Sequence, residues 1–579
     1  VQGSWIGGHN IQIGSAAGDV VIMLDRPDYR LELLQPVPSG DARVPRSRQR
    51  PSYLLDPGSQ VVPYRPRPIP EARLTAWREQ PDELLSVLLL HGAGGQGKTR
   101  LASRFASQAH QDGWAVAQAV EKSPRLRAGR HEAPVLDDAQ PLLVVVDYAD
   151  RWRLPVLAQL VDNLRWDLPD RPVRVLLLGR PQAGLWRDVS AELDHGTADL
   201  AEPEELGDFT EDAAGRVEAF AEAAVAFADR LAVPVAVSAP ADLGDEAYRS
   251  PLMLHMAALS AVCAHRDGQP PPAREELSDY LLGHETRYWR GAANAEGGGL
   301  SVDAVERVVF VSTLFGPVGS VEAACVLLRR ARLADGDAQA HTILDAHDRL
   351  YPSAEVSALP PLRPDRLGED LVGRYLRRQP RASALLGDVL AGAPDDTGPD
   401  ALAVRRCLIV LAAAAARHVQ ARSALLEVFA SQPELAAQAT PGVLRVVIDH
   451  APEDLAAAVD GALPRYSTDL LRPARDLAQR LVDALPVDAP PARRAHRLSW
   501  LGIRLSGVGD KRAALEPTRE AADLYRALAE AEPAAYLPDL AMALNNLGNR
   551  LSEVGDKRAA LEPTREAADL YRALAEAEP

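Results

Sequence analysis

The chain has 579 residues, too many for one hydrophobic core, and its size fits about three to five domains. Hydrophobic content of 47% fits a folded protein, and only 5% aromatics beside abundant alanine and leucine leans it toward helix. A net charge of −17 speaks against a general nucleic-acid binder, which needs a basic face to displace counterions.

Residues 1–25 alternate around Ile11 and Ile13 and are β-rich from Val20 to Leu24, with glycines between, so a short β-rich segment is expected. Residues 26–70 are dense in proline and arginine and read as linker or extended chain that cannot be helical. Glu71 to Trp77 then looks helical.

From there to about residue 210, strands and helices alternate, the pattern of a parallel sheet covered by helices. The apolar run Leu84 to Leu90 leads into Gly92-Ala93-Gly94-Gly95-Gln96-Gly97-Lys98-Thr99, which fills every fixed position of the phosphate-binding loop G-x-x-x-x-G-K-S/T. The glycines let successive backbone N–H groups face one anion, and the following helix, opening at Arg100, adds its dipole. Lys98 can reach the outer phosphates and the Thr99 hydroxyl can ligand Mg²⁺. Further strands are expected at Ala115 to Val120, Leu142 to Val146, Val173 to Leu178 and Ala198 to Leu206. Asp147 ends the second of these, at the sheet edge where open α/β folds bind ligands, and is the candidate Mg²⁺-shell acid. Asp150 is a candidate base, and Arg180, just after a strand end, can sense a γ-phosphate.

Helices are expected over 211–275, with a loop at 266–275. Residues 276–376 carry more helices and short strands around Pro360 to Arg366. Residues 377–485 are helical, broken at Ala393 to Asp400 and at Gln432 to Pro433, and Pro486 to Pro491 reads as a hinge. In 486–579, Leu505 to Pro533 and Leu551 to Pro579 differ only at Gly507 against Glu553, a period of 46 residues. Two helices per unit, with small residues at their crossings, mean a helical solenoid.

The set HGAGGQGKTRLA, LLVVVDYAD, VLLLGRP and Ser250-Pro251-Leu252-Met253-Leu254 resembles the signal-transduction ATPases called STAND, which include the NACHT and NB-ARC proteins. The resemblance implies a multidomain chain: an α/β P-loop NTPase core, a helical subdomain, a winged-helix-like region, and an α-solenoid whose repeats resemble tetratricopeptide repeats. It implies ATP/ADP and Mg²⁺ as cofactors. It places Pro251 on the adenine, the segment of Val62 and Tyr64 over the base, Asp147 as Walker B acid, Asp150 as second acid and Arg180 as sensor. His347 is the nearest match to the histidine that contacts the ADP phosphate. Arg151 stands where such members often carry a glutamate, so slow hydrolysis is expected.

The expected function is an ATP/ADP-dependent switch whose repeats bind an unidentified ligand or protein and whose active form is a homo-oligomer, without nucleic acid or membrane. The alternatives are a P-loop small-molecule kinase and a passive repeat scaffold. No HExxH, GxSxG or Cys/His cluster is present. Cys263, Cys325 and Cys407 offer no disulfide framework, the N-terminus has no signal-peptide pattern, and the apolar run Cys407 to Ala416 is too short to span a bilayer. A cytoplasmic protein is expected, and Val1 in place of methionine suggests a fragment or processed chain.

Overall fold

The computed structural model describes residues 3–6, 9–16, 19–24, 27–33, 49–81, 83–122, 140–181, 185–193, 198–210, 212–234, 237–295, 301–352, 358–391, 401–464 and 468–577. The expected break at Ala393 to Asp400 lies outside these residues. The chain forms two compact units, Val1–Ala424 and Leu425–Pro579. Among the described residues no helix is long and apolar enough to cross a membrane.

The first unit opens with a three-stranded antiparallel sheet of β1 (Gly3–Ile6), β2 (His9–Ala16) and β3 (Asp19–Leu24). A seven-stranded sheet follows. It contains β4 (Tyr29–Leu33), β5 (Leu85–His91), β6 (Ala115–Glu121), β7 (Leu142–Val146), β8 (Val173–Gly179), β9 (Asp199–Leu200) and β10 (Glu204–Glu205). Its order is β10-β5-β8-β7-β6-β4, with β9 also on β5. The strands β5 to β8 are parallel.

Both faces of this sheet are dry. Val87, Leu89, Val144, Val146, Val175 and Leu177 point to the face covered by the helices Leu154–Asp167 and Leu185–Leu193. Leu88, Leu90, Leu143, Val145, Leu176 and Leu178 point to the other, under the helices Pro68–Arg78 and Lys98–Gln111. Side chains alternate across a strand, so burial on both sides demands the continuous apolar runs seen in the sequence.

The order of the strands positions the site. The chain leaves β5 for β6, three places away, and returns through β7 to β8, which pairs with β5; it then crosses to β9 and β10 on β5's other side. The chain therefore departs in opposite directions around β5, the arrangement that opens a crevice at the carboxyl ends of the strands. His91 pairs with Gly179 across β5 and β8, so the phosphate-loop glycines and Arg180 emerge side by side.

The structure departs from four of these expectations. Residues 26–70 are not linker throughout. Tyr29–Leu33 is the antiparallel edge strand on β6, and Pro51–Leu54 is a short helix with proline in its first turn, where a missing N–H costs nothing. The helix expected from Glu71 starts at Pro68 for the same reason. Ala198 to Leu206 forms two two-residue strands interrupted at Pro203 rather than one. No strand forms around Pro360 to Arg366, where prolines remove ladder donors; the nearest pairing among the described residues is the isolated bridge Val318–Ala358.

The other described residues of the first unit are mostly helical, including Ala213–Leu231, Pro251–Arg266, Leu277–Ala295, Val302–Phe315, Asp337–Leu350 and Asp365–Arg378. One core joins Leu54, Leu55, Val61 and Val62 to these helices. In the second unit the repeats are the helices Pro491–Gly507, Lys511–Ala531, Pro533–Glu553 and Lys557–Ala577. Gly502 and Gly548 sit where helices cross: a Cβ on either would lie 2.2 Å from the hydroxyl of Thr518 or Thr564.

Candidate functional site

β5 ends at His91 and the Gly92 N–H donates to the Gly179 carbonyl at 3.3 Å, starting the loop beside β8. Gly95 (φ 83°) and Gly97 (φ 90°) occupy the left-handed region that side chains disfavour. A Cβ on Gly95 would also lie 2.8 Å from the Ser250 hydroxyl. The helix Lys98–Gln111 begins at once, its N-terminus aimed into the loop. Lys98 Nζ donates to the carbonyls of Gly92 at 2.6 Å and Ala93 at 3.0 Å. Burial pushes its ammonium down to about 8, against the pull of Asp150.

Across from it, Thr99 Oγ1 donates to Asp147 Oδ2 at 3.1 Å, while Asp147 Oδ1 accepts from the Tyr148 N–H at 2.9 Å. Burial raises the Asp147 carboxyl, opposed by these two hydrogen bonds. Asp150 is buried in the turn after β7 and accepts the Arg180 N–H at 3.2 Å. Among the described residues no cluster of three or more His, Cys, Asp or Glu could hold a metal. One hydroxyl beside one carboxylate nevertheless fits Mg²⁺, which takes few protein ligands and completes its shell with phosphate and water. The turned glycines, the half-buried Lys98 and the Thr99–Asp147 pair together fit a Mg²⁺-bound nucleoside polyphosphate.

These groups line one cavity of about 400 Å³. Its charged wall includes Asp365, Glu369 and Arg417, to which the sequence assigns no role. Arg180 Nη2 donates to Glu369 Oε1 at 2.9 Å and to Asp365 Oδ2 at 3.3 Å. Both acids lie one turn apart at the start of the helix Asp365–Arg378. Arg151 also pairs with Asp365, and Arg417 Nη2 donates to Glu369 Oε2 at 2.9 Å. Burial works against the Asp365 carboxylate, but Arg151 and Arg180 outweigh it and hold its pKa at about 2.

The other wall is apolar: Leu54, Leu55, Val61, Val62, Pro251 and Leu252, with Arg100 and His255. Arg100 Nη2 donates to the Val62 carbonyl. Tyr64 does not line this cavity. It lines an adjoining one of about 40 Å³ that shares Val62, Gly97, Arg100, Pro251 and His255 with the first, and its hydroxyl donates to Glu71 at 2.7 Å. Gln96 lines that smaller cavity too, whereas Gly92 and Ala93 line neither and serve Lys98 through their carbonyls.

His347 is not in the cavity. It is buried in the helix Asp337–Leu350, its Nε2 at 3.0 Å from the Pro360 carbonyl, so the phosphate contact expected of it is not made in this arrangement. The histidine that does line the cavity is His255, to which the sequence assigns no role. Its place four residues after Pro251, on the same helix face, is the only signal the sequence carries for it.

The sequence matches no protein-family model and no curated protein. Among solved structures the chain is similar to the Aeropyrum pernix ORC1 protein, solved in complex with DNA, at 16% identity and TM-score 0.26, over 58% of this chain and 98% of that one. It is similar to the MamA RS-1 ArsTM double mutant at 16% identity and TM-score 0.17, over 36% of this chain and 96% of that one. Likenesses of this size carry no argument about function, which rests instead on the cavity.

Proposed function

We propose that the chain is an ATP/ADP-dependent signal-transduction switch of STAND type, a slow ATPase whose repeats receive a ligand and whose nucleotide state governs self-assembly. One observation carries this reading: the glycine loop and the helix Asp365–Arg378 border a single cavity, and Arg180 is held between them by Glu369 and Asp365. A P-loop enzyme needs nothing of that kind for binding alone. A switch needs a group that can choose between a protein partner and a phosphate.

When bound, Mg²⁺-ATP supplies a terminal phosphoryl group whose negative charge is absent in ADP. Lys98 exchanges the Gly92 and Ala93 carbonyls for phosphate oxygens. Thr99 and Asp147 would hold the metal. Asp150, fixed by the Arg180 N–H, orients water. Arg151 occupies the position of a second base and is itself paired to Asp365, which supports slow turnover. Arg180 leaves Glu369 and Asp365 for the terminal phosphate, and the helix Asp365–Arg378 loses a tie to the sheet. A ligand can shift this equilibrium only by its differential affinity for the two forms, and ADP and ATP differ at the atoms Arg180 reaches. The repeats and a homo-oligomeric active form complete the reading; neither nucleic acid nor membrane has a role in it.

The test is chromatography of the nucleotide released from the purified chain, with light scattering in ADP and in a non-hydrolysable ATP analogue. Bound ADP and a mass that rises only with the analogue are expected. Absence of any nucleotide affinity, or the same mass in both, removes the switch.

A further inference from the structure

The two walls of the cavity differ in kind. Phosphates belong with the glycine loop, Lys98 and Arg180, which leaves the apolar wall for the base. A base edge carries hydrogen-bonding groups, and an apolar wall cannot match them without loss. Most polar side chains near that wall have protein partners. Arg100 is turned onto the Val62 carbonyl, the Tyr64 hydroxyl onto Glu71, and Asp56 accepts the Gly58 N–H at 2.7 Å. Arg67 donates to the carbonyls of Gln96, Gly207 and Asp208 at 3.0, 2.6 and 2.8 Å.

His255 is different. It lines both the main cavity and the smaller one beside it, and neither ring nitrogen is hydrogen-bonded to a described residue. Its ring is nonetheless fixed. Phe209 and Phe227 each lie 6.4 Å from it, at interplanar angles of 84° and 81°. Such edge-to-face contacts set the plane of the imidazole. Burial, with Arg100 beside it, pushes its pKa down to about 3, so the ring is neutral and offers one donor and one acceptor.

We propose that His255 is the base-reading residue of this site, hydrogen-bonding the edge of an adenine seated on Pro251, Val62 and Leu252. The proposal rests on the nucleotide reading above and adds the group that recognises the base. An oriented, otherwise unpartnered donor and acceptor rewards a base that reaches it, and a ligand without a base leaves it unpaired.

The experiment compares ATP with ribose 5′-triphosphate, which has the sugar and phosphates but no base. Affinities are measured for the full chain and for His255→Phe, which keeps a ring against Phe209 and Phe227, and for His255→Ala. Both variants are expected to lose about tenfold in ATP affinity and to bind ribose 5′-triphosphate as the unaltered chain does. Equal losses for the two ligands would mean that His255 only supports the fold, and unchanged ATP affinity would mean that it does not touch the base; either overturns the proposal. If the unaltered chain binds neither ligand, the nucleotide reading itself fails.

Discussion

Arg180 and Glu369 meet at 2.9 Å across 189 residues of sequence. One follows the central strand β8 and the other sits in the first turns of the helix Asp365–Arg378. The same glutamate accepts Arg417, so it is shared by two guanidinium groups. Removing it strips a partner from two arginines in partly buried surroundings, and removing one member of such a set costs more than the set contributes intact.

Glu369→Ala is therefore expected to lower the stability of the nucleotide-free chain by about 2–4 kcal/mol. The same change leaves Arg180 held by Asp365 alone, so affinity for an ATP analogue rises severalfold relative to ADP. Calorimetric melting and paired nucleotide titrations read the two effects. A loss of stability with an unchanged ATP-to-ADP ratio would leave Glu369 a structural residue only.

Asp147→Asn keeps the shape of the Thr99 contact but removes the charge opposite it. Triphosphate affinity in the unaltered chain is expected to rise as Mg²⁺ is added and to fall on chelation. In the variant this response should shrink by about tenfold or more. A full Mg²⁺ response in the variant would place the metal elsewhere.

Stability should fall in acid through buried neutral histidines before the carboxylates act. Burial depresses His347 and His284 from 6.5 to about 4. An unfolded chain protonates these rings at higher pH than the folded one, so stability rises with pH between the two values. The melting temperature should be flat above about pH 7 and decline from 6.5 toward 4. Loss of the Asp365 pairing, whose carboxylate sits at about 2 against an ordinary 3.8, extends the fall below pH 4. His347→Gln should flatten the upper part of the profile by up to about 3 kcal/mol, and an unchanged profile would contradict it.

In the repeats, Gly502→Ala drives a methyl to within 2.2 Å of the Thr518 hydroxyl, which donates to the Ala514 carbonyl at 2.7 Å. The cost is expected to be about 1–3 kcal/mol, with much of it recovered by Thr518→Ala in the same chain. Additive losses in the double variant, read from denaturant melts, would show that the clash lies elsewhere.

The central strands were legible because burial on both faces leaves an unbroken apolar run, as in Leu142 to Val146. The phosphate loop was legible because its conformation permits few residues at Gly95 and Gly97. The repeats announced themselves by identity. Tyr29–Leu33 was hidden by the prolines that follow it, since an edge strand is short and its pairing is remote in sequence. The sequence assigns Asp365 and Glu369 no role, since acids are common at a helix start. Only the return of that helix to the end of β8 gives them a partner. The two histidines make the same point: His347 sits in a sequence context resembling a phosphate contact but is buried beside Pro360, while His255 has no motif and faces the cavity.

Calorimetric titration of Mg²⁺ with ADP and with a non-hydrolysable ATP analogue, into the full chain and into Lys98→Ala, reaches the grip of the glycine loop on the phosphates without intermediaries. The unaltered chain should bind both nucleotides, and Lys98→Ala should bind each about a hundredfold or more weakly while melting as a folded protein. Equal affinity with and without the Lys98 ammonium would mean that the cavity does not hold a nucleotide by its phosphates.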